Sequence, residues 1–315
     1  MSSGIGAGRD GSHHLRGEQI ILWPGERREA VLRVIRSAQN RLILSLFRCD
    51  DSQVLHELAE ARRRQVRVQA LLTRRAKGGK KRLRELWTCL EGIGAEVACY
   101  ADSVVKYHAK YIVADDGPAL VASLNLTRKC LEETCDFVQI TYDPEVVSGL
   151  QRLFEADSQA PTGAFPEDLT DRLIVGPEQA RTRLAKLLQD ARVSIRIIDP
   201  KLRDPEFLAL LKARNEAGVR VDVLDAPVLA DLRSHGKMIL VDETTAVIGS
   251  MSLSALSLGF RRELALKVCE PHCVGRLNHF FRTMSAAHAD AAGALPRELT
   301  ADDEDDEDSL PERAL

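Results

Sequence analysis

Little in this sequence is aromatic: Phe, Trp and Tyr together make up 4% of 315 residues. So few rings give scant material for an interfacial belt or for a row of base-stacking platforms. No stretch approaches the roughly 18–20 consecutive apolar residues needed to span a bilayer, which predicts no transmembrane segment. The opening MSSGIGAGRDGSHHLRGE lacks the apolar core of a signal peptide or anchor. Residues 1–17 are therefore expected to form a flexible tail. Paired cysteines are missing as well. Cys49, Cys89, Cys99, Cys130, Cys135, Cys269 and Cys273 are odd in number and irregularly spaced, the pattern of free thiols in a reducing cytoplasm. Neither Cys130/Cys135 nor Cys269/His272/Cys273 has a partner pair at zinc-site spacing, so the sequence predicts no metal site and no other cofactor.

Charge is present but unevenly placed. The net formal charge is -3, yet Arg74 to Arg84 (RRAKGGKKRLR) hold seven basic side chains in eleven residues, and Asp302 to Asp308 are seven consecutive acids. Without that run the chain is mildly basic. The cluster, with Arg74, Arg75, Lys80 and Lys81 foremost, is a candidate contact for polyanions or anionic surfaces. The alternative is a solvated helix start with a solubilising tail.

The chain is duplicated. ILWPGERREAVLRVIRSAQNRLILSLF reads as strand, helix, strand, with Val31, Leu32 and Ile35 on the helix's apolar face and a strand from Leu42 to Phe47. Ser52 is placed to cap a helix running to Arg64, Val66 to Leu72 is a strand, and the basic stretch opens a helix ended by Gly94. Downstream, LIVGPEQARTRLAKLLQDARVSIRIID and DPEFLALLKARNEAGVRVDVLD repeat this grammar. Val66 and Val219 are 153 residues apart, whereas His108 and His235 are 127 apart. The first half thus carries 26 extra residues, at about 74–99. The pattern predicts an α/β fold of two pseudo-symmetric halves, 18–156 and 171–290, joined by a linker at 157–170 and followed by a disordered acidic tail at 291–315.

The polar residues recur with the duplication. In YHAKYIVADDGPALVASLN stand His108, Lys110, Asp115, Ser123 and Asn125; in SHGKMILVDETTAVIGSMS stand His235, Lys237, Asp242, Ser250 and Ser252 at the same spacings. Residues two apart on a strand share a face, so each histidine projects with its lysine. Asp136 and Glu263 each follow their histidine by 28 residues. Two histidines, two lysines and paired hydroxyl or amide donors suit phosphodiester cleavage by covalent catalysis. A neutral imidazole attacks phosphorus while a protonated one gives its proton to the leaving oxygen. Lysines and Ser/Asn donors stabilise the equatorial oxygens, and an acid on the far ring nitrogen fixes the tautomer. Such a site requires no metal, because the lysines supply positive charge.

HxKxxxxD, followed after six intervening residues by a small residue, Ser, any residue and Asn, resembles the signature of the phospholipase D superfamily. The resemblance implies two phospholipase-D-type α/β lobes of mixed sheets flanked by helices, with the active site at their interface and a phosphohistidine intermediate resolved by water or an alcohol. It makes His108 and His235 nucleophile and general acid, with His108 favoured as nucleophile. Lys110, Lys237, Ser123, Asn125, Ser250 and Ser252 become phosphate donors, Asp136 and Glu263 the histidines' acids, and Asp115 and Asp242 structural supports. Two positions depart from the signature: Ala122 stands for the usual Gly and Ser252 for the usual Asn. The family acts on lipids and on nucleic acids. The duplicated single chain resembles cardiolipin-synthase-like and phospholipase-D-like proteins, which favours phospholipid and a cytoplasmic protein with peripheral contact at the inner membrane surface. A nuclease acting on DNA or RNA is the alternative, favoured by the basic insert, and a non-catalytic polyanion-binding module is the second.

Overall fold

The computed structural model describes residues 17–74 and 79–291. The N-terminal tail before residue 17, Arg75 and the acidic tail after residue 291 lie outside the described residues. The fold is mixed α/β. In the first half seven strands are ordered Gln19–Ile21, Val138–Thr141, Ala119–Ala122, Tyr111–Ala114, Arg41–Leu46, Arg67–Thr73 and Glu96–Tyr100. In the second half six follow the same order: Leu173–Val175, Leu264–Val268, Thr245–Gly249, Lys237–Val241, Ser194–Ile198 and Arg220–Leu224. The extra edge strand, Glu96–Tyr100, and the helix Lys80–Gly92 before it have no counterpart in the second half. Both sheets mix parallel and antiparallel pairs. Their central strands are buried on both faces and read as apolar runs such as Leu42–Leu44 and Met238–Val241.

Local chemistry sets the ends of these elements. The helix Ser52–Arg63 is capped by Asp51, whose carboxylate accepts the amides of Gln53 and Val54; Ser52, the expected cap, is the first helical residue. Asp143 and Asp204 cap the helices Pro144–Ser158 and Pro205–Glu216, each with proline in the first turn. Asp157, expected to open a linker, is instead buried in the last turn of Pro144–Ser158, where Arg262 Nε lies 3.1 Å from its carboxylate. The last turn of that helix therefore packs against the second half.

The two halves share cores. Side chains of the first sheet and of Pro144–Ser158 pack with Leu173, Val175, Leu264 and Leu266 of the second half. Conversely Ile20, Leu22 and Phe137 join the apolar face of the helix Pro271–Ala291, which includes Phe280 and Phe281. Backbone pairing also crosses between halves. Lys106–Tyr107 runs parallel to Arg261–Arg262, and Leu232–Ser234 runs parallel to Thr134–Cys135. Each strand that leads into a motif histidine is thereby paired with the strand leading into the other half's acid.

Candidate active site

That crossed pairing decides which acid meets which histidine. His108 Nδ1 lies 2.8 Å from Glu263 Oε2, and His235 Nδ1 lies 2.9 Å from both oxygens of Asp136. The acid 28 residues downstream of each histidine therefore serves the histidine of the opposite half. Both acids are fully buried. Burial alone would raise the Glu263 carboxyl, but the charge and hydrogen bond of His108, with Arg261 and Lys110 beyond, overcome it and hold the group at about 2. Asp136 is likewise lowered: burial opposes ionisation, and His235, Arg27 and the Ser123 hydroxyl outweigh it. With each acid ionised, Nδ1 keeps its proton directed at the carboxylate, and Nε2 is the nitrogen left for chemistry, as a lone pair when the ring is neutral or as an N–H when it is protonated.

Lys110 follows His108 to the same face, with Nζ 2.9 Å from His108 Nε2. Phe47 meets the His108 ring edge-on, with centroids 4.8 Å apart. Arg48, Lys106 and Lys110 stand 5.2–5.4 Å from the Phe47 centroid, a cation-rich wall around the histidine. Ser123 does not face an open space: its hydroxyl donates to Asp136 at 2.5 Å and accepts the Phe137 amide at 2.9 Å. Ser250 accepts the Leu264 amide at 3.1 Å. In the second half Ser257, 3.0 Å from Glu263, supports the acid instead. Asn125 is buried, and its side-chain oxygen has no hydrogen-bond partner among the described residues. Phe47, Arg48 and Asn125 line both the recess at Lys110 and the larger cavity that reaches His235.

The second lysine has a neighbour that sequence reasoning missed. Asp199, at the end of the strand Ser194–Ile198, is buried. It accepts the Ser252 hydroxyl at 2.9 and 3.0 Å and the Leu253 amide at 2.7 Å. Burial raises its pKa, partly offset by the Leu253 and Lys201 amides, Lys237 and Ser252. Ser252 is thus engaged with a carboxylate. The motif aspartates are tethers: Asp115 accepts the amides of Gln39, Asn40 and Arg41, and Asp242 those of Arg192, Val193 and Ser194. Both occupy left-handed backbone, with φ 47° and 53°.

Arg27 was also missed. It is fully buried and donates to the carbonyls of Leu22, Cys130, Thr134 and Asp136, clamping the loop that carries Asp136. The signal was present, since Arg27 shares a helical stripe with Ala30, Val31 and Val34.

A cavity of about 800 Å³ opens on His235, Ser234 and Asn125 and is walled by the helix Lys80–Gly92. That helix contributes Leu83 and Leu86, which line the cavity with Leu55 and Phe47, while Arg48, Arg82, Lys129 and Arg233 supply positive charge against the acids Asp50 and Glu85. Arg74, Lys80 and Lys81 are exposed and line no part of it. Of the basic cluster Arg82 does so, because helical spacing turns Arg82, Leu86 and Cys89 to one side and Lys80, Lys81 and Arg84 to others.

Residues 31–158 match the family model described as cardiolipin synthase, PLD-like domain. Two solved structures share the fold over 85% of this chain. Polyphosphate kinase from Porphyromonas gingivalis does so at 17% identity and TM-score 0.70, and 47% of its own length is covered. Phosphatidylserine synthase from Haemophilus influenzae Rd KW20 does so at 13% identity and TM-score 0.66, with 86% covered. The chain thus spans about half the length of the kinase. At these identities the likeness is one of fold. No curated protein sequence matches the chain.

Proposed function

We propose that this chain, which belongs to the phospholipase D superfamily, cleaves or transfers phosphodiesters through a phosphohistidine, with phospholipid as the favoured substrate. The observation that carries the reading is the exchanged pairing: each histidine has Nδ1 held by a buried, ionised acid of the other half. His108 Nε2 attacks phosphorus, forming an N–P bond as the P–O bond to the leaving group breaks. His235 gives that oxygen its proton. Water or an alcohol, deprotonated by His235, then attacks the phosphohistidine and returns His108 to its free form. His235 borders the cavity, which suits the group that meets both the departing and the incoming alcohol. Lys110, Lys237 and Asn125 balance charge on the equatorial oxygens.

Leu55, Leu83 and Leu86 beside Arg48, Arg82 and Arg233 make the cavity amphiphilic, which fits a phosphodiester bearing an apolar tail. The same arginines favour a nucleic-acid backbone as the second reading, although Phe47, the aromatic ring in the wall, is almost wholly buried and offers no stacking face. Labelled phospholipids, single- and double-stranded DNA, RNA and polyphosphate, each offered with chelator present, separate the readings. Phospholipid turnover that resists chelator and is lost in His108→Ala is expected. Turnover that survives this substitution refutes the mechanism, and turnover of nucleic acid alone refutes the substrate.

A further inference from the structure

Cys130 has no part in the reaction above, yet its thiol lies against the acid–histidine pair at the cavity. One ligand atom from each of Cys130, Asp136 and His235 falls within 4.8 Å of the other two, and all three residues are buried. No spacing in the sequence announces the group, because Cys130 and Asp136 come from the first half and His235 from the second. We propose that these three side chains form a site for one thiophilic divalent cation, such as zinc, and that the bound ion withdraws His235 from phosphoryl transfer.

Several features prepare the site. Arg27 donates to the carbonyls of both Cys130 (3.1 Å) and Asp136 (3.0 Å), fixing the backbone that presents two of the ligands. Ser123 and Thr134 each donate at 2.5 Å to a different oxygen of Asp136, orienting the carboxylate as outer hydrogen bonds orient metal ligands. Cys130 and His235 both border the 800 Å³ cavity, so an ion has a route in and a water from the cavity can complete four-coordination. A thiolate, an imidazole nitrogen and a carboxylate oxygen are ordinary zinc donors at about 2.0–2.3 Å. The thiolate and carboxylate together neutralise the ion's charge. On binding, the Cys130 thiol gives its proton to solvent, and the His235 ring proton moves to the nitrogen that does not hold the ion, which leaves the imidazole neutral. The inhibitory consequence rests on the phosphodiesterase reading; the binding does not.

The full chain is titrated with zinc by equilibrium dialysis and with cobalt(II) by absorption. One tightly held ion per chain and a thiolate-to-cobalt charge-transfer band are expected. Cys130→Ser should abolish the band and weaken zinc binding at least tenfold, while Cys273→Ser keeps both. Protection of Cys130 from iodoacetamide by zinc, reversed by chelator and read by peptide mass, tests the unmodified chain. No band in the unmodified chain, a band retained by Cys130→Ser, or no zinc protection of Cys130 would overturn the site. In parallel, zinc should halve phosphodiester turnover at the concentration that half-fills the site, and Cys130→Ser should need at least tenfold more. Binding without inhibition of measurable turnover overturns the proposed withdrawal of His235. Binding as described, with no turnover of any phosphodiester, leaves the metal site standing and defeats the catalytic reading.

Discussion

The chemistry at the residue scale rests on proton placement. His108 and His235 have similar motifs, but Glu263 and Asp136 reach them across the pseudo-dyad, so partnership is a pairwise property that a double-mutant cycle on unfolding free energy can read. Coupling of about 0.5–3 kcal/mol is expected for His108→Ala with Glu263→Gln and for His235→Ala with Asp136→Asn. Coupling within about 0.5 kcal/mol of zero is expected for the same-half pairs. Strong coupling of His108 to Asp136 would contradict the exchange. The lysines are less alike than their motifs. Lys237 lies near buried Asp199, which Ser252 holds, whereas Lys110 lies against His108. An aspartate ending one strand and a serine far beyond it gave no joint signal in the sequence, because neither is polar in an unusual place until the strands pair.

Elements, in turn, decide which small residues are interchangeable. Ala122 and Gly249 occupy matching positions, yet Gly249 has φ 157°, and a Cβ there would lie 2.2 Å from the Leu264 carbonyl oxygen. Ala122 is not among the positive-φ residues and its side chain is accommodated in the core. Gly249→Ala should therefore destabilise the chain by roughly 1–3 kcal/mol from overpacking or strain. Ala122→Gly should cost about 0.5–1 kcal/mol from backbone entropy. Denaturant midpoints for the two variants provide the comparison, and equal losses would refute the asymmetry. The departure at Ala122 is thus explained by its own half's geometry. The inserted helix gives a similar lesson. Its basic residues were legible in sequence, but the face it turns to the cavity carries Leu83, Leu86 and Arg82, and the strand packed beside it fixed that rotation.

At the scale of the whole molecule, the halves are joined by buried ionic groups as well as apolar contacts. Asp157, from the end of the first half, meets Arg262 of the second, which also binds Glu178; Tyr100, Tyr107 and Tyr111 lie nearby. Burial raises Asp157 from 3.8 to about 7 despite Arg262. Between those values the folded state holds a proton that the unfolded state has lost, so stability falls as pH rises through the window and levels off above it. Glu263 acts in the opposite sense. Its folded value of about 2 against an ordinary 4.5 gives stability that is present above 4.5 and lost as pH falls through 2. Thermal midpoints should therefore peak near pH 4–5 in the contribution of these two groups. Asp157→Asn should flatten the decline between about pH 4 and 7, whose slope is at most about 1.4 kcal/mol per pH unit. An unchanged profile in that variant would remove Asp157 as its source.

The order of residues alone determined the α/β pattern, the duplication and the chemistry on offer. These are local properties: apolar periodicity needs only near neighbours, and a spacing of two sets His108 beside Lys110 even though His108, Lys110 and His235 lie just outside the strands. Tertiary structure decided the partners. The contacts that define the site join residues far apart in the chain, 155 positions for His108 and Glu263 and 99 for His235 and Asp136. A repeated spacing cannot say whether an acid folds back on its own half or crosses to the other. The parallel pairing of Lys106–Tyr107 with Arg261–Arg262, and of Leu232–Ser234 with Thr134–Cys135, makes that choice. The second pairing also carries His235 to Asp136 and, beside it, to the thiol of Cys130.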